Sequence, residues 1–371
     1  MENPERDYDL SPSHLSDAIL AEMRTALEVD ELVYNDEFKS LGAGMVNEVF
    51  SFSVKDGREG LGRHKIPLVA RIPKKRALDE TEKESAIHHA MVACGYPVPV
   101  VMAHGRILED IPYVVMQRFS GHSGQQVFFL IGLIGLLTGL IDAYLINIPV
   151  PVFLTALTFF VFGWLFVMLR FHRLPVDKFR QFYSEEGQNP DELTLSGTIN
   201  AIRDRCRDHS KLEPLVIGSN WLADNLPAHQ KEVICHGDFH PGNFMLHWQS
   251  GFGVIDLSRL RIAPREFDIS WFMMIGDMVA PPPLSKSPKE WIGLTLLKPL
   301  IWLMFWPPVI ANLPFIDLQK IRYCQAVHAL ELLSMFRDPN NDISAPSLEL
   351  RLAQRFKRIT GVQLITTNQE T

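Results

Sequence analysis

Cysteine is scarce. The 371 residues hold four, Cys94, Cys206, Cys235 and Cys324, far apart and with no C-x-x-C pair. Neither a disulfide framework nor a thiolate zinc site can be built from that spacing, and a reducing compartment is expected. An excess of positive charge is also missing. Thirty-six Lys and Arg stand against 43 Asp and Glu, the net charge is −7, and the basic residues are scattered. A nucleic-acid partner, which would require a basic face, is therefore excluded. The opening stretch, MENPERDYDLSPSHLSD, has no basic start followed by an apolar run, so no secretory signal is expected and the folded lobes are placed in the cytoplasm. Internal repeats and low-complexity tracts are absent.

What is present suffices for two or three lobes with real cores. Apolar positions Ile19, Leu20, Met23 and Leu27 recur at helical spacing and predict an amphipathic helix over 16–29, within an N-terminal extension of residues 1–30. FKSLGAGMVNEVFSFSV alternates around a glycine pair and predicts a hairpin; IPLVARIP predicts the next strand. LDETEKESAIHHAMVACGYPVP predicts a helix with acidic residues in its first turn and Gly95 and Pro97 at its end. Strands around Val100–Ala103 and in YVVMQRF complete a sheet-plus-helix lobe over residues 31–121.

Two apolar runs follow, Val127–Ile146 and Val152–Leu169, 20 and 18 residues long and separated by NIPVP. At about 1.5 Å per residue the shorter makes roughly 27 Å of helix, close to the hydrocarbon thickness of a bilayer. A transmembrane hairpin over 122–174 is expected. Arg118 precedes it and Arg170, Arg173, Lys178 and Arg180 follow, which puts both ends on the cytoplasmic side of the membrane. Asp142, near the turn, would relay protons, pair helices or reach interface water. The alternative is a buried helical pair inside the C-terminal lobe. That lobe, residues 175–371, has helical patterns over Leu193–His209 and Gln319–Phe336. Trp291–Leu313, rich in Trp and Leu but broken by Lys298, Pro299, Pro307 and Pro308, suits an interfacial or a core helix.

The chemistry concentrates in VICHGDFHPGNFML, Val233–Leu246. Three readings compete. His236, Asp238 and His240 alternate as three metal ligands on one side of a strand would, but Pro241 and Gly242 break that strand and no Cys or Glu completes the set. A polar turn after a buried strand is the plainest alternative. The third reading takes Asp238 and Asn243, five apart, with Asp256 in the following GVIDL: one acid to orient a hydroxyl proton, an amide and a second acid to hold magnesium against nucleotide phosphates. His236 then braces the loop, His240 contacts substrate or fills the loop, and Cys235 is a small buried strand residue.

HGDFHPGN together with VIDLSRLRIAPREFDISWF resembles the aminoglycoside phosphotransferase and choline kinase-like family. The N-terminal lobe carries further matching motifs in the family's order, and the likeness covers about residues 38–120 and 230–275. LGAGMVNEVF resembles its nucleotide loop, with Gly42 and Gly44 at the phosphates and Asn47 where protein kinases have a third glycine. LVARIP and EKESAIHHAMVACGYPVPVV resemble the strand and helix whose basic residue and Glu pair over the phosphates, here Arg71 and Glu84. Arg in place of Lys is a departure from the common pattern, and Lys74 or Lys75 could serve instead. YVVMQRFSG resembles the hinge, placing Met116, Gln117 and Arg118 near the adenine, and Asp268 matches the Asp that braces the catalytic loop.

The resemblance implies an α+β, bilobal protein-kinase-like fold, here with a two-helix membrane insertion. It implies an ATP- and magnesium-dependent transfer of the γ-phosphate to a hydroxyl group, with Asp238 catalytic and Asn243 and Asp256 on the metal. The acceptor is expected to be a small molecule or, beside a membrane, a lipid-linked one; the oligomeric state is open. A nucleotide-binding scaffold that keeps the fold without turnover is the alternative, opposed by the intact Asp238, Asn243 and Asp256.

Overall fold

The structure, a computed structural model, describes residues 12–43, 47–57, 65–73, 78–108, 111–119, 121–123, 126–127, 130, 163, 166–208, 210–228, 231–247, 251–279, 316–338 and 346–364. They form two compact units, one of residues 1–120 with 185–188, the other of 121–184 with 189–371.

The first unit is built on an antiparallel five-stranded sheet. Its strands are β1 (Leu32–Ala43), β2 (Asn47–Asp56), β3 (Ile66–Pro73), β4 (Val101–Ile107) and β5 (Ile111–Gln117), in the order β1-β2-β3-β5-β4. Period-2 alternation divides each strand between the two sheet faces. Phe50, Phe52 and Val54 of β2 and Leu68, Ala70 and Ile72 of β3 share one core with Leu15, Ile19 and Met23 of helix α1 (Pro12–Leu27). The three α1 residues are four apart and fully buried, so the amphipathic stripe read from the sequence closes one face of the sheet. Tyr113 Oη, 3.0 Å from Glu22 Oε2, and Tyr34 Oη, 2.6 Å from the Ser16 carbonyl, tie α1 down. On the opposite face Val69 packs with Val101, Val114 and Met116, and helix α2 (Leu78–Ala93) ends at Gly95 with φ of 75°, the left-handed conformation that glycine supplies to a helix stop.

The second unit is mainly helical. Among the described residues its helices include α3 (Val176–Glu185), α4 (Leu195–Asp208), α5 (Val216–Asp224), α6 (Glu266–Val279), α7 (Leu318–Arg337) and α8 (Pro346–Thr360). Helix α7 is its hub: most of its residues are buried, and it packs against α4, α5, α6 and α8. Asp317 caps it, accepting from the Gln319 N–H at 2.9 Å. Two small sheets carry the loops. β7 (Glu232–Cys235) pairs antiparallel with β10 (Arg261–Pro264), and β8 (Phe244–His247) sits between β6 (His122–Ser123) and β9 (Gly251–Val254).

The expected transmembrane hairpin is corrected here. Among the described residues no helix is long and apolar enough to cross a membrane. Most of Val127–Ile146 and Val152–Leu169, with Asp142, lies outside the described residues, as does Trp291–Leu313. The end of the second run is described, and protein covers it: residues 166–171 are helical, Val167, Met168 and Phe171 are at most 2% exposed while Phe166 is 57% exposed. The Phe171 ring lies 5.8 Å from that of His236. Hydropathy counts apolar residues without saying what covers them; here one helical face is spent on the core of the second unit. The two-span membrane placement, and the bilayer as a partner, fall with it.

Candidate active site

The loop after β7 is pinned from beneath. Asp268, fully buried in the first turn of α6, accepts the His236 N–H at 3.1 Å, the Gly237 N–H at 2.8 Å and the His172 Nε2–H at 2.8 Å. Burial pushes its carboxyl up, but the His172 hydrogen bond and charge, the Gly237 N–H and His236 outweigh burial and hold it below the usual carboxylate range. Gly237 is required by the backbone: its φ is 76°, and a Cβ there would stand 1.9 Å from the Arg259 carbonyl oxygen.

His236 is fully buried and both ring nitrogens are engaged within the protein, Nδ1 by the Asp238 N–H at 3.3 Å and Nε2 on the Ile255 carbonyl at 3.1 Å. It therefore has no lone pair for an ion, which removes the zinc reading of His236, Asp238 and His240. Among the described residues the group near enough to share an ion is His172, Cys235 and Asp268, and its atoms are already committed. Cys235 Sγ donates to the Pro264 carbonyl at 3.4 Å, and burial first, then Asp268, pushes its thiol well up. Such a thiol is inert.

Past Gly237 the chain presents Asp238. Pro241–Asn243 form one 3-10 turn, entered through His240, whose Nδ1 accepts the Gly242 N–H at 3.0 Å. That turn brings Asn243 back: its Nδ2 donates to the Asp238 carbonyl at 3.0 Å and to Asp238 Oδ2 at 3.2 Å. With the nitrogen spent on Asp238, the amide oxygen is the end left over for a cation. The Ile255 N–H donates to the Asn243 carbonyl at 3.0 Å and so joins the turn to the strand end that carries Asp256. Asp256 has φ of 60°, rare for a residue with a side chain, and its Oδ1 accepts the Ser258 hydroxyl at 2.8 Å. An amide oxygen and a carboxylate are the hard donors magnesium takes, so the residues fit that ion. His240 Nε2 lies 3.8 Å from Asp238 Oδ2; burial first lowers its basicity, with Asp238 opposing.

In the first unit Arg71 of β3 and Glu84 of α2 form the expected ion pair, with side chains 14% and 10% exposed. Arg71 is opposite Val114, and Val69 opposite Met116, so all four share one face of the sheet. Gln117 donates its N–H to the Val100 carbonyl at 2.8 Å and Arg118 to the Pro67 carbonyl at 2.8 Å, which fixes the strand end read as the hinge. Gly42, next to last in β1, is opposite Val49, and Asn47 opens β2 opposite Pro73. Gly44, Lys74 and Lys75 lie outside the described residues.

The sequence model of the phosphotransferase enzyme family (APH) matches residues 37–287, more than half of the chain. The chain belongs to the phosphotransferase enzyme family. It is thus an ATP-dependent phosphotransferase acting on hydroxyl groups, with magnesium as the metal. Solved structures of the same fold include aminoglycoside phosphotransferase APH(4)-Ia in a thermostable apo form, at 14% identity and TM-score 0.52 over 92% of this chain and 98% of that one. A ternary complex of APH(4)-Ia with AMP-PNP and hygromycin B matches at 12% identity and TM-score 0.53, over 93% and 98%. The GDP complex of an aminoglycoside 2'-phosphotransferase matches at 15% identity and TM-score 0.50, over 95% and 98%. No curated protein matches the chain significantly in sequence.

Sequence reasoning missed four parts of this phosphotransferase's site. His172 holds Asp268 from 96 residues away. Trp271 donates its Nε1–H to Asp238 Oδ1 at 2.8 Å. Arg259 lies 4.2 Å over the Trp271 ring, and Glu331 of α7 binds both Arg259, at 2.5 Å, and Arg261, at 3.0 Å. Two signals were available: Trp271 is one helical turn beyond Asp268, and Glu331 is a lone acid in the apolar stretch AVHALELLSMF.

Proposed function

We propose that this phosphotransferase transfers the γ-phosphate of ATP to a hydroxyl of a small molecule, with Asp238 as the catalytic acid-base residue and Asn243 and Asp256 as magnesium ligands. The observation that carries the reading is the double hydrogen bond from Asn243 Nδ2 to Asp238, which makes proton acceptor and metal ligand one rigid unit. Magnesium, when bound, neutralises the charge that develops on the transferring phosphate. The chain's own groups do the rest. Asp238 turns an oxygen to the acceptor hydroxyl and takes up its proton. Arg71, braced by Glu84, binds nucleotide phosphate oxygens; Gly42, Gly44 and Asn47 line the phosphate loop; Met116 and Gln117 hold the base. His236 and Asp268 keep the loop in place.

The acceptor class rests on the family and on a relative's complex with hygromycin B. A lipid-linked acceptor lost its ground with the membrane hairpin and is not proposed. The scaffold alternative needs no turnover, and Asp238 and Asp256 separate the two readings. Asp238→Asn should keep magnesium–ATP binding and lose about 10²–10⁴-fold in transfer, whereas Asp256→Asn should lose the metal-dependent part of binding as well. A screen of hydroxyl acceptors, aminoglycosides included, with radiolabelled ATP provides the assay. Parental transfer by Asp238→Asn would remove the assigned role; ATP binding by the parent without transfer to any acceptor would favour the scaffold.

A further inference from the structure

We infer that Trp271 is a positioning residue of the transfer reaction, its indole N–H setting the Asp238 carboxylate in the one orientation that receives the acceptor's proton. The inference rests on the role proposed above for Asp238. Asp238 has a donor on each oxygen, Trp271 Nε1 on Oδ1 at 2.8 Å and Asn243 Nδ2 on Oδ2 at 3.2 Å. A single donor would leave the carboxylate free to rotate about its terminal torsion, which has no steep preference of its own. Two donors on opposite oxygens fix that plane and still leave each oxygen a lone pair for the incoming hydroxyl.

The donor is itself held. Trp271 is 5% exposed. Arg259 lies over its ring at 4.2 Å, and the Arg259 guanidinium cannot drift because Glu331 grips it at 2.5 Å. The His328 ring is 5.1 Å from that of Trp271, and its Nε2 bonds the Phe267 carbonyl at 2.9 Å. A cation over the indole face also draws density from the ring and strengthens the N–H as a donor. Helix α6 thus references the loop twice within one turn: Asp268 holds the backbone of His236 and Gly237, and Trp271 holds the side chain of Asp238.

A buried indole N–H needs an acceptor, and satisfying it is the plain explanation for such a bond. The acceptor chosen here argues for more. The Asp238 side chain is 23% exposed, so water could solvate it without help from the protein. The bond therefore selects one orientation of a group that would otherwise sample several, and misplacement of a reacting group is costly in rate.

The test has a spectroscopic and a kinetic arm. Trp271→Phe keeps an aromatic face under Arg259 and removes only the donor; it also assigns the Trp271 indole resonance by its disappearance. In Asp238→Asn, where Trp271 is intact, that indole resonance should move upfield and exchange faster; if none of the indole resonances of the seven tryptophans differs between the parent and Asp238→Asn, the inference is overturned even if Trp271→Phe does not fold. With magnesium–ATP and water as acceptor, Trp271→Phe should lower kcat 10- to 100-fold at an unchanged KM for ATP, and should cost nothing further in an Asp238→Asn background. Parental kcat in Trp271→Phe, or an equal loss in both backgrounds, overturns the inference and leaves the role of Asp238 standing. Parental turnover in Asp238→Asn, or none in the parent with water or with any hydroxyl acceptor of the screen above, overturns that role and the inference with it.

Discussion

Replacing Glu331 by Gln should be the most informative single change to the scaffold beneath the loop. Its carboxylate is 9% exposed and bonds Arg259 at 2.5 Å and Arg261 at 3.0 Å. Burial pushes the carboxyl up, but Arg259, Arg261 and His328 more than reverse this and bring it down from the ordinary 4.5 to about 2. A shift of that size corresponds to roughly 3 kcal/mol of stability at neutral pH. A second route gives a similar figure: removing one partner of a buried ion pair costs about 3–5 kcal/mol, because the remaining charges stay buried with too few acceptors. That is a large part of the roughly 5–15 kcal/mol of a typical domain. The sign follows from the direction of the shift. A depressed carboxylate contributes its stability above the unfolded value and loses it as pH falls through the folded one, so the gap between parent and variant should be full at pH 7 and shrink between about 4.5 and about 2. Urea unfolding of both proteins, followed by tryptophan fluorescence at pH 7 and pH 3, measures the gap. A loss below about 1 kcal/mol at pH 7, or a gap that does not shrink with acid, would refute the reasoning.

Arg71→Ala should weaken magnesium–ATP binding by about 10- to 100-fold, because it removes the charge proposed for the phosphates together with its ion pair to Glu84. Calorimetric titration measures it, and an unchanged Kd would move the phosphate grip to Lys74 or Lys75. Gly237→Ala combines a φ of 76° with a Cβ 1.9 Å from the Arg259 carbonyl, so it should lower the thermal midpoint by several degrees or prevent folding. A parental midpoint would show that the loop can give way there.

Local patterns made much of the fold legible. In β3 the alternation Leu68, Ala70, Ile72 against Val69, Arg71 separates core from opposite face as period 2 requires, and in α1 the buried residues Leu15, Ile19 and Met23 follow the helical repeat. The loop from His236 to Asn243 was readable in part: Pro241 and Gly242 marked a break in the strand, and the chain turns there, bringing Asn243 back on Asp238. The apolar run ending at Leu169 was misread for a definite reason. Hydropathy registers that Val167 and Met168 avoid water, and lipid and a protein core satisfy that requirement alike.

The sequence by itself therefore determined membership of the phosphotransferase family over residues 37–287 and supplied the candidates for its chemistry: the acid, amide and acid of Asp238, Asn243 and Asp256, and the Arg71–Glu84 pair on neighbouring elements. Their spacing is short or their order is constrained, so few arrangements compete. Only the tertiary structure decided how that chemistry is held. His172 meets Asp268 across 96 residues, Glu331 meets Arg259 across 72, and Trp271 reaches Asp238 across 33. No local periodicity encodes such pairs, because they come together through the packing of whole helices against the loop, and what makes each residue matter is its partner's position rather than its own place in the chain.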